Sequence, residues 1–451
     1  MRENPATPKI RFLLTAYSTI IHVVCAVGLP WLLFRAWKTG KLKEGLGERF
    51  GFLNRPWLRR VAAARPVWFH AVSVGEAQML GPLVERLKEK HPDVPIVVST
   101  TTVPGQEIAK GHRGVDGTFF LPIDLGWAVR KVVRRLNPRL LAILETEIWP
   151  NLVVQTYRYG TPVVFLNGRI SDRSFPGYLR ARWFLEGILR FPTLFGMQSE
   201  KNAERIVRMG APSSRVRVIG NLKYESANEL RLKGTPLSRT EFGLDENALV
   251  LIGGSTFPGE EEMLIRIYEN CLRKHPRLRL IIAPRHPQRF EDAAEVIEKS
   301  GHEIARRSGG VLPRPSGEGK PIVLLDVMGE LKNLYPLTDV VFIGKSMGCT
   351  PAGRGGQNPL EPAVWSRPIV CGPLMENFQE VVDSLNEAGG IDVSPTEREI
   401  QDKILELLED PELRREMGES AYSVIGDSLG VVDRCLAIAE EAAGLGKSES
   451  Q

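Results

Sequence analysis

The sequence predicts an α/β protein made of two doubly wound halves behind an apolar N-terminal helix. Three observations predict it. From Val67 onward, short apolar runs alternate with longer amphipathic stretches, the pattern of β-α units that build a parallel sheet covered on both faces. A polar, turn-rich stretch at Glu225–Leu244 interrupts the alternation, which then restarts. The tract Phe12–Phe34 holds no Lys, Arg, Asp or Glu over 23 residues, ~34 Å at the helical rise and enough to cross a bilayer. These divide the chain into an anchor (1–40), a first half (41–230) and a second half with a helical tail (231–451).

The elements follow in order. In the first half Val67–Val74 reads as a strand, Ala77–Lys90 as a helix, Val94–Thr100 as a strand and Pro104–Lys110 as a helix start. Leu140–Leu144, Pro162–Leu166 and Thr193–Met197 are further strands, Glu200–Met209 is helical, and Val216–Ile219 closes the series. In the second half Leu249–Ile252 and Leu278–Ile282 are strands, each followed by a helix, Glu260–His275 and Phe290–Ser300. Ile322–Leu325, Val340–Ile343 and Pro368–Val370 add strands, and Glu397–Leu445 reads as helices.

Composition bounds the function. A chain of 451 residues exceeds one ordinary core, and roughly 150 residues per domain gives two or three. Hydrophobic content of 43% and charged content of 25% argue against disorder. The net charge of +5 comes without a dense basic run, which points away from nucleic acid and fits an anionic membrane surface. Cys25, Cys271, Cys349, Cys371 and Cys435 are scattered, odd in number and without C-x-x-C spacing, so neither a disulfide framework nor a zinc site is expected, and a reducing cytoplasm is. The apolar tract lacks a small-residue cleavage site and reads as a retained anchor. His22 and Pro30 weaken it as a spanning helix, leaving monotopic insertion open. Arg2, Lys9 and Arg11 precede it, while Arg35, Lys38, Lys41, Lys43 and Arg49 follow, which places the body on the cytoplasmic side. The plainer alternative is a buried hairpin of a soluble domain.

Ligands of such sheets bind beyond the carboxyl ends of the strands, and unusual residues gather there. Ser73, Gly75 and Glu76 close the first strand. Glu76 fits a general base for an acceptor hydroxyl, or a glutamate that merely complements the helix dipole. Glu145 and Glu147 follow the Leu140–Leu144 strand and fit either site support or a structural cap. Gly253-Gly254-Ser255-Thr256 has the glycines and capping hydroxyls of an anion pocket, without the lysine of a Walker loop. Arg285 suits a phosphate or a surface ion pair. Asp326–Leu331 opens a helix, as an ordinary cap or towards a nucleotide. In Gly355–Pro362, Asn358 caps a turn that would aim Glu361 at a ribose diol. There is no H-x-x-x-H or D-x-D, so no metal site and no cofactor is expected.

On these residues the chain resembles the Kdo transferases, which move 3-deoxy-D-manno-octulosonic acid from CMP-Kdo to a lipid A precursor. The resemblance runs through Gly47-Glu48-Arg49, His70–Glu76, Glu145–Asn151, Asn167-Gly168-Arg169, Gly220–Lys223, Pro284–His286 and Asn358–Pro362. It implies a GT-B fold, two Rossmann-like domains with the site in the cleft between them. It implies that Glu76 is the base, that Ser73, Gly75 and Glu145 support the acceptor side, and that Pro284, Arg285, Gly329, Glu330, Leu331, Asn358, Pro359, Leu360 and Glu361 bind the CMP part of the donor. It further implies an inverting, metal-independent enzyme of lipopolysaccharide biosynthesis at the bacterial inner membrane, with lipid IVA as acceptor. Two departures stand out. Gln357 occupies the place of the family's usual His, and the loop Lys345–Arg354 is longer than the family pattern. A GT-B-like nucleotide-sugar epimerase and a non-catalytic, membrane-bound sugar or nucleotide binder are the alternatives.

Overall fold

Val67–Ala71 (β1) is buried along its whole length, as a strand must be when helices cover both faces of its sheet. A computed structural model, describing residues 7–39, 45–233, 235–312, 321–351, 353–426 and 429–445, places β1 inside a parallel sheet, with a neighbouring strand on either side. Its other strands are Ile96–Thr100 (β2), Gly117–Phe120 (β3), Leu140–Leu144 (β4), Val163–Gly168 (β5), Leu194–Met197 (β6) and Val216–Val218 (β7). Their order is β3-β2-β1-β4-β5-β6-β7. The chain winds outward from β1 in one direction, returns, and winds in the other. Such a reversal leaves a crevice between β1 and β4 at their carboxyl ends.

The second sheet is also wound about one reversal, with Leu249–Thr256 (β8), Leu278–Pro284 (β9), Ile304–Arg306 (β10), Ile322–Leu324 (β11), Val340–Ile343 (β12), Ile369–Cys371 (β13) and Ile391–Val393 (β14). The order β10-β11-β9-β8-β12-β13-β14 puts its reversal between β8 and β12. Residues 1–226 together with 430–451 form one unit, and 227–429 the other.

Several boundaries differ from the sequence reading. β1 stops at Ala71, because Ser73 already caps the helix Val74–Lys90. β3, β10 and β14 were not foreseen. Half of the expected linker is the helix Leu222–Lys233. The helical tail divides: Glu397–Glu409 and Pro411–Gly426 stay with the second unit, whereas Val431–Ala443 belongs to the first. There its Val431, Cys435, Leu436 and Ile438 share an apolar core with Val67, Phe69, Leu166 and Leu194. That apolar stripe covers strands that the helix Val74–Lys90 leaves bare.

The N-terminal helix runs from Pro8 to Thr39, through Pro30. His22 turns its Nδ1 onto the Ser18 carbonyl of the same helix, 2.6 Å away. Its segment Pro8–Gly28 is long and apolar enough to cross a membrane. Its first turns are docked: Ile10 and Leu14 are buried, Tyr17 donates to Asp124 Oδ2 at 3.0 Å and Ser18 to Asn151 Oδ1 at 3.2 Å. Beyond them Ile20, Val23, Val24 and Val27 are 57–74% exposed. Asp124 lies in the loop past the carboxyl end of β3, and Asn151 in the first turn of the helix Pro150–Arg158 that follows β4, so the N-terminal helix leaves the first unit at that end. Of the basic flanks, Arg2, Lys41 and Lys43 lie outside the described residues.

The docking needs Gly187, where a Cβ would meet Ile10 Cγ1 at 2.8 Å. Gly187→Leu is therefore expected to destabilise the first unit by ~1–3 kcal/mol through overpacking, read as a lower urea midpoint. An unchanged midpoint would show that the helix is not seated there.

Candidate active site

Both crevices collect chemistry, the first at the ends of β1 and β4 and the second beyond β9, β11 and β12. After β1, the Ser73 hydroxyl accepts the Glu76 N–H at 3.2 Å, and Glu76 Oε1 accepts the Ser73 N–H at 3.2 Å. This is a capping box. A further bond, from the Val72 N–H to Oε2 at 2.7 Å, fixes the carboxylate in place. Glu76 is thus a helix cap, and its surroundings make it more than that. It is 5% exposed, and its carboxyl is pushed up to about 7, by burial first and by the charges of Glu145 and Glu147 besides, against the pull of the Val72 and Ser73 bonds. A carboxyl poised there can take a proton near neutrality.

Glu145 follows β4 on the other side of the crevice, in the left-handed region at φ 56°. A residue with a Cβ pays ~1–3 kcal/mol for such a backbone, and such strain collects at functional sites. Its N–H donates to the Leu166 carbonyl at 2.9 Å, which holds it against β5. Burial, then Glu145, raises the Glu147 carboxyl. The cap reading of this pair fails, because the helix Pro150–Arg158 has no cap from its own flank. Asp124 does that work from another loop, accepting from the Asn151 and Leu152 N–H groups at 2.9 and 2.8 Å. Burial lifts its carboxyl to about 6. The sequence reading missed Asp124, a lone acid 27 residues from its partners. His70 is fully buried with its pKa held down to about 4 by desolvation, and its Nδ1 lies 2.9 Å from Ser99 Oγ. It is a neutral tie between β1 and β2.

In the second unit the expected anion pocket at Gly253–Thr256 is not one. These residues belong to β8, Thr256 gives its hydroxyl to Glu261 at 2.8 Å, and the helix Glu260–Leu272 starts at Gly259 without a side-chain cap. A Cβ on Gly254 would meet the Tyr335 hydroxyl at 2.7 Å, so close packing accounts for that glycine.

The other donor-side residues do meet. Pro284 ends β9, and Arg285 follows it, exposed and without an ion-pair partner among the described residues. Asn358 Oδ1 accepts the Leu360 N–H at 3.2 Å, which starts the turn Leu360–Ala363 after Pro359. Glu361 lies in that turn. Burial raises its carboxyl, while Asn358, Arg285 and Lys332 oppose the rise, so the ends of three separate segments converge. Gly329 is left-handed at φ 88° with nothing within 4 Å of where a Cβ would sit, leaving the backbone before Leu331 open to a ligand. The Glu330 carboxylate is taken by Arg307 at 2.7 Å; only its backbone is available for the role expected of it. Asp326 is likewise committed, to Ser308.

Comparison with known proteins fixes the family. The profile described as 3-deoxy-D-manno-octulosonic-acid transferase (kdotransferase) matches residues 44–226. A 3-deoxy-D-manno-octulosonic acid transferase of Haemophilus influenzae is 31% identical over 435 residues, covering 94% of this chain and 97% of its own. The chain belongs to the Kdo transferase family. A Kdo transferase of Bordetella pertussis is 32% identical, over 94% of this chain and 99% of its own. As a Kdo transferase the chain is a glycosyltransferase, and its two parallel sheets are those of GT-B proteins. UDP-GlcNAc 2-epimerase from Neisseria meningitidis, solved with UDP-GlcNAc, has a TM-score of 0.57 at 14% identity, covering 82% of this chain and 99% of its own. That likeness is one of fold alone, so the Kdo transferase stands apart from the epimerases in sequence while sharing their architecture.

Proposed function

We propose that this enzyme transfers Kdo from CMP-Kdo to a lipid A precursor, lipid IVA, with inversion and without a metal ion. The observation that carries the reading is Glu76, a carboxyl held near pH 7 by burial, fixed by two backbone N–H bonds at the reversal of the first sheet. Its Oε removes the proton from a glucosamine hydroxyl of the acceptor as that oxygen bonds to the anomeric carbon of Kdo. The bond from that carbon to the CMP phosphate oxygen breaks on the opposite face, and its electron pair leaves with CMP. The transition state has oxocarbenium character, and Arg285 stabilises the charge growing on the phosphate. The Asn358–Glu361 turn and the open backbone at Gly329–Leu331 hold the rest of CMP, with Glu361 on the ribose diol. Ser73 caps the helix whose first turn, Gly75 included, presents Glu76, and Glu145 orients the acceptor.

The exposed apolar stretch of the N-terminal helix supports membrane attachment. We place it in the bacterial inner membrane with the catalytic units on the cytoplasmic side, so that the carboxyl end of the first sheet faces the lipid acceptor.

The test is transfer from CMP-Kdo, generated in situ by a separate metal-dependent step, to lipid IVA, with EDTA added before the purified enzyme. Product of the mass expected for added Kdo supports the reaction, and its survival in EDTA supports metal independence. Cytidine nucleotide binding without product overturns the assigned sugar or acceptor. The pH profile tests the base: kcat should fall about tenfold per unit below an apparent pKa near 7 and level off above it. A flat profile from pH 5 to 8 (about that range) with chemistry rate-limiting would remove Glu76 from the role.

A further inference from the structure

The loop that leaves β12 carries a lysine that no step above uses. Lys345 stands two residues past Ile343, the last residue of β12, at the carboxyl end where β12 and β8 part, the place where doubly wound sheets take their ligands. Its backbone is left-handed at φ 61°, a conformation that glycine adopts freely and lysine does not. The fold imposes it. Glu260, 1% exposed, accepts N–H bonds from Lys345 at 2.7 Å, Ser346 at 2.9 Å and Met347 at 3.2 Å, and from Phe257 at 2.9 Å. The Lys345 carbonyl accepts the Gly356 N–H at 2.9 Å, which ties it to the turn bearing Asn358.

The side chain has a contact of its own. Its ammonium lies 5.1 Å from the centroid of the Phe257 ring, within reach of a cation–π contact, and Phe257 meets His286, the neighbour of Arg285, edge-on at 5.6 Å. Lys345 is half-buried and has no ion-pair partner among the described residues. Glu260, the nearby carboxylate, spends its oxygens on the four N–H groups. A turn alone would need only glycine here; a partly desolvated ammonium without an ion-pair partner among the described residues is suited to an anion brought by a ligand. We propose that Lys345 binds a negative group of the nucleotide-sugar donor, either the sugar carboxylate or the phosphodiester. The proposal rests on the reading of CMP-Kdo as donor, which offers both groups.

Lys345→Gly is the informative variant, because glycine accepts the left-handed backbone and leaves the Glu260 bonds in place, so the fold is not at risk. KM for CMP-Kdo is expected to rise about tenfold to a hundredfold, the loss of one charge-assisted hydrogen bond, and Lys345→Arg is expected to retain most of the affinity. Inhibition by CMP distinguishes the sources. Unchanged CMP inhibition assigns Lys345 to the carboxylate, and a parallel loss assigns it to the phosphodiester. A glycine variant whose donor KM and CMP inhibition both stay within about twofold of wild type overturns the proposal, as does an arginine variant as impaired as the glycine one. Wild type is the control for the underlying reading: if it does not consume CMP-Kdo, that reading falls and this proposal with it, whereas an active wild type beside an unaffected variant overturns the role of Lys345 alone.

Discussion

Glu76→Gln is expected to lower kcat by ~10²–10⁴-fold, the worth of a general base, while making the folded protein more stable at neutral pH and above. The two effects have one cause. The Glu76 carboxyl is held at about 7, above its ordinary 4.5. Below pH 4.5 it is protonated in both the folded and the unfolded chain and costs nothing. Between 4.5 and 7 the unfolded chain releases this proton while the folded state retains it, so stability is lost as pH rises. Above about 7 the whole penalty is present, ~3 kcal/mol at ~1.4 kcal/mol per pH unit. Glutamine carries no such penalty; its one carbonyl oxygen keeps one of the two backbone N–H bonds and gives up the other, at ~1 kcal/mol. The melting temperature of the variant relative to wild type should therefore be lowest near pH 4 (about that value) and rise steadily up to pH 8 or so, ending above wild type. A variant that is inactive and also less stable at the upper pH would mean that the residue serves only as a helix cap.

Arg285→Ala should reduce kcat/KM by ~10²–10³-fold, in the range found when one preorganised donor to a developing charge is removed. Arg285 is exposed beyond β9, has no ion-pair partner among the described residues, and acts on the Glu361 carboxyl from across the site together with Lys332. Such a guanidinium is free to meet a phosphate. Lysine should restore only part of the rate, because a point charge lacks the planar fork. CMP affinity should fall in the same variant, measured by product inhibition. A rate within about tenfold of wild type would leave Arg285 as a surface charge that offsets Glu361.

The sequence made the centre of each sheet legible and its margins less so. β4 and β12 are buried runs of apolar residues, β1 and β9 are so but for His70 and Arg279, and such runs mark themselves. β10 and β14, Ile-Ala-Arg and Ile-Asp-Val, sit at sheet edges and are partly exposed, so no apolar run announces them. β3 was hidden by its Gly-Thr start. Glu76, Glu145 and the Asn358–Glu361 turn could be read because each follows a strand within a few residues. Asp124 and Glu260 could not: partners of each lie in other elements, 27 and 28 residues on for Asp124 and up to 87 for Glu260, and only the sheet brings them together. The pairing of the Glu330 carboxylate with Arg307 was not legible either, since nothing in a sequence shows which charges are already spoken for.

The helix Val431–Ala443 has a consequence for how the chain is made. Its apolar residues complete the core of a unit whose other members all precede residue 227. A ribosome therefore finishes the second unit before it supplies the last piece of the first. Until then one face of the first sheet, Val67, Phe69 and Leu166 among its residues, has no cover from this helix, and uncovered apolar surface of that kind invites aggregation. The protein's earliest-made half is thus the last to be completed, and chains cut short before residue 431 should depend on chaperones even though both sheets have been synthesised in full.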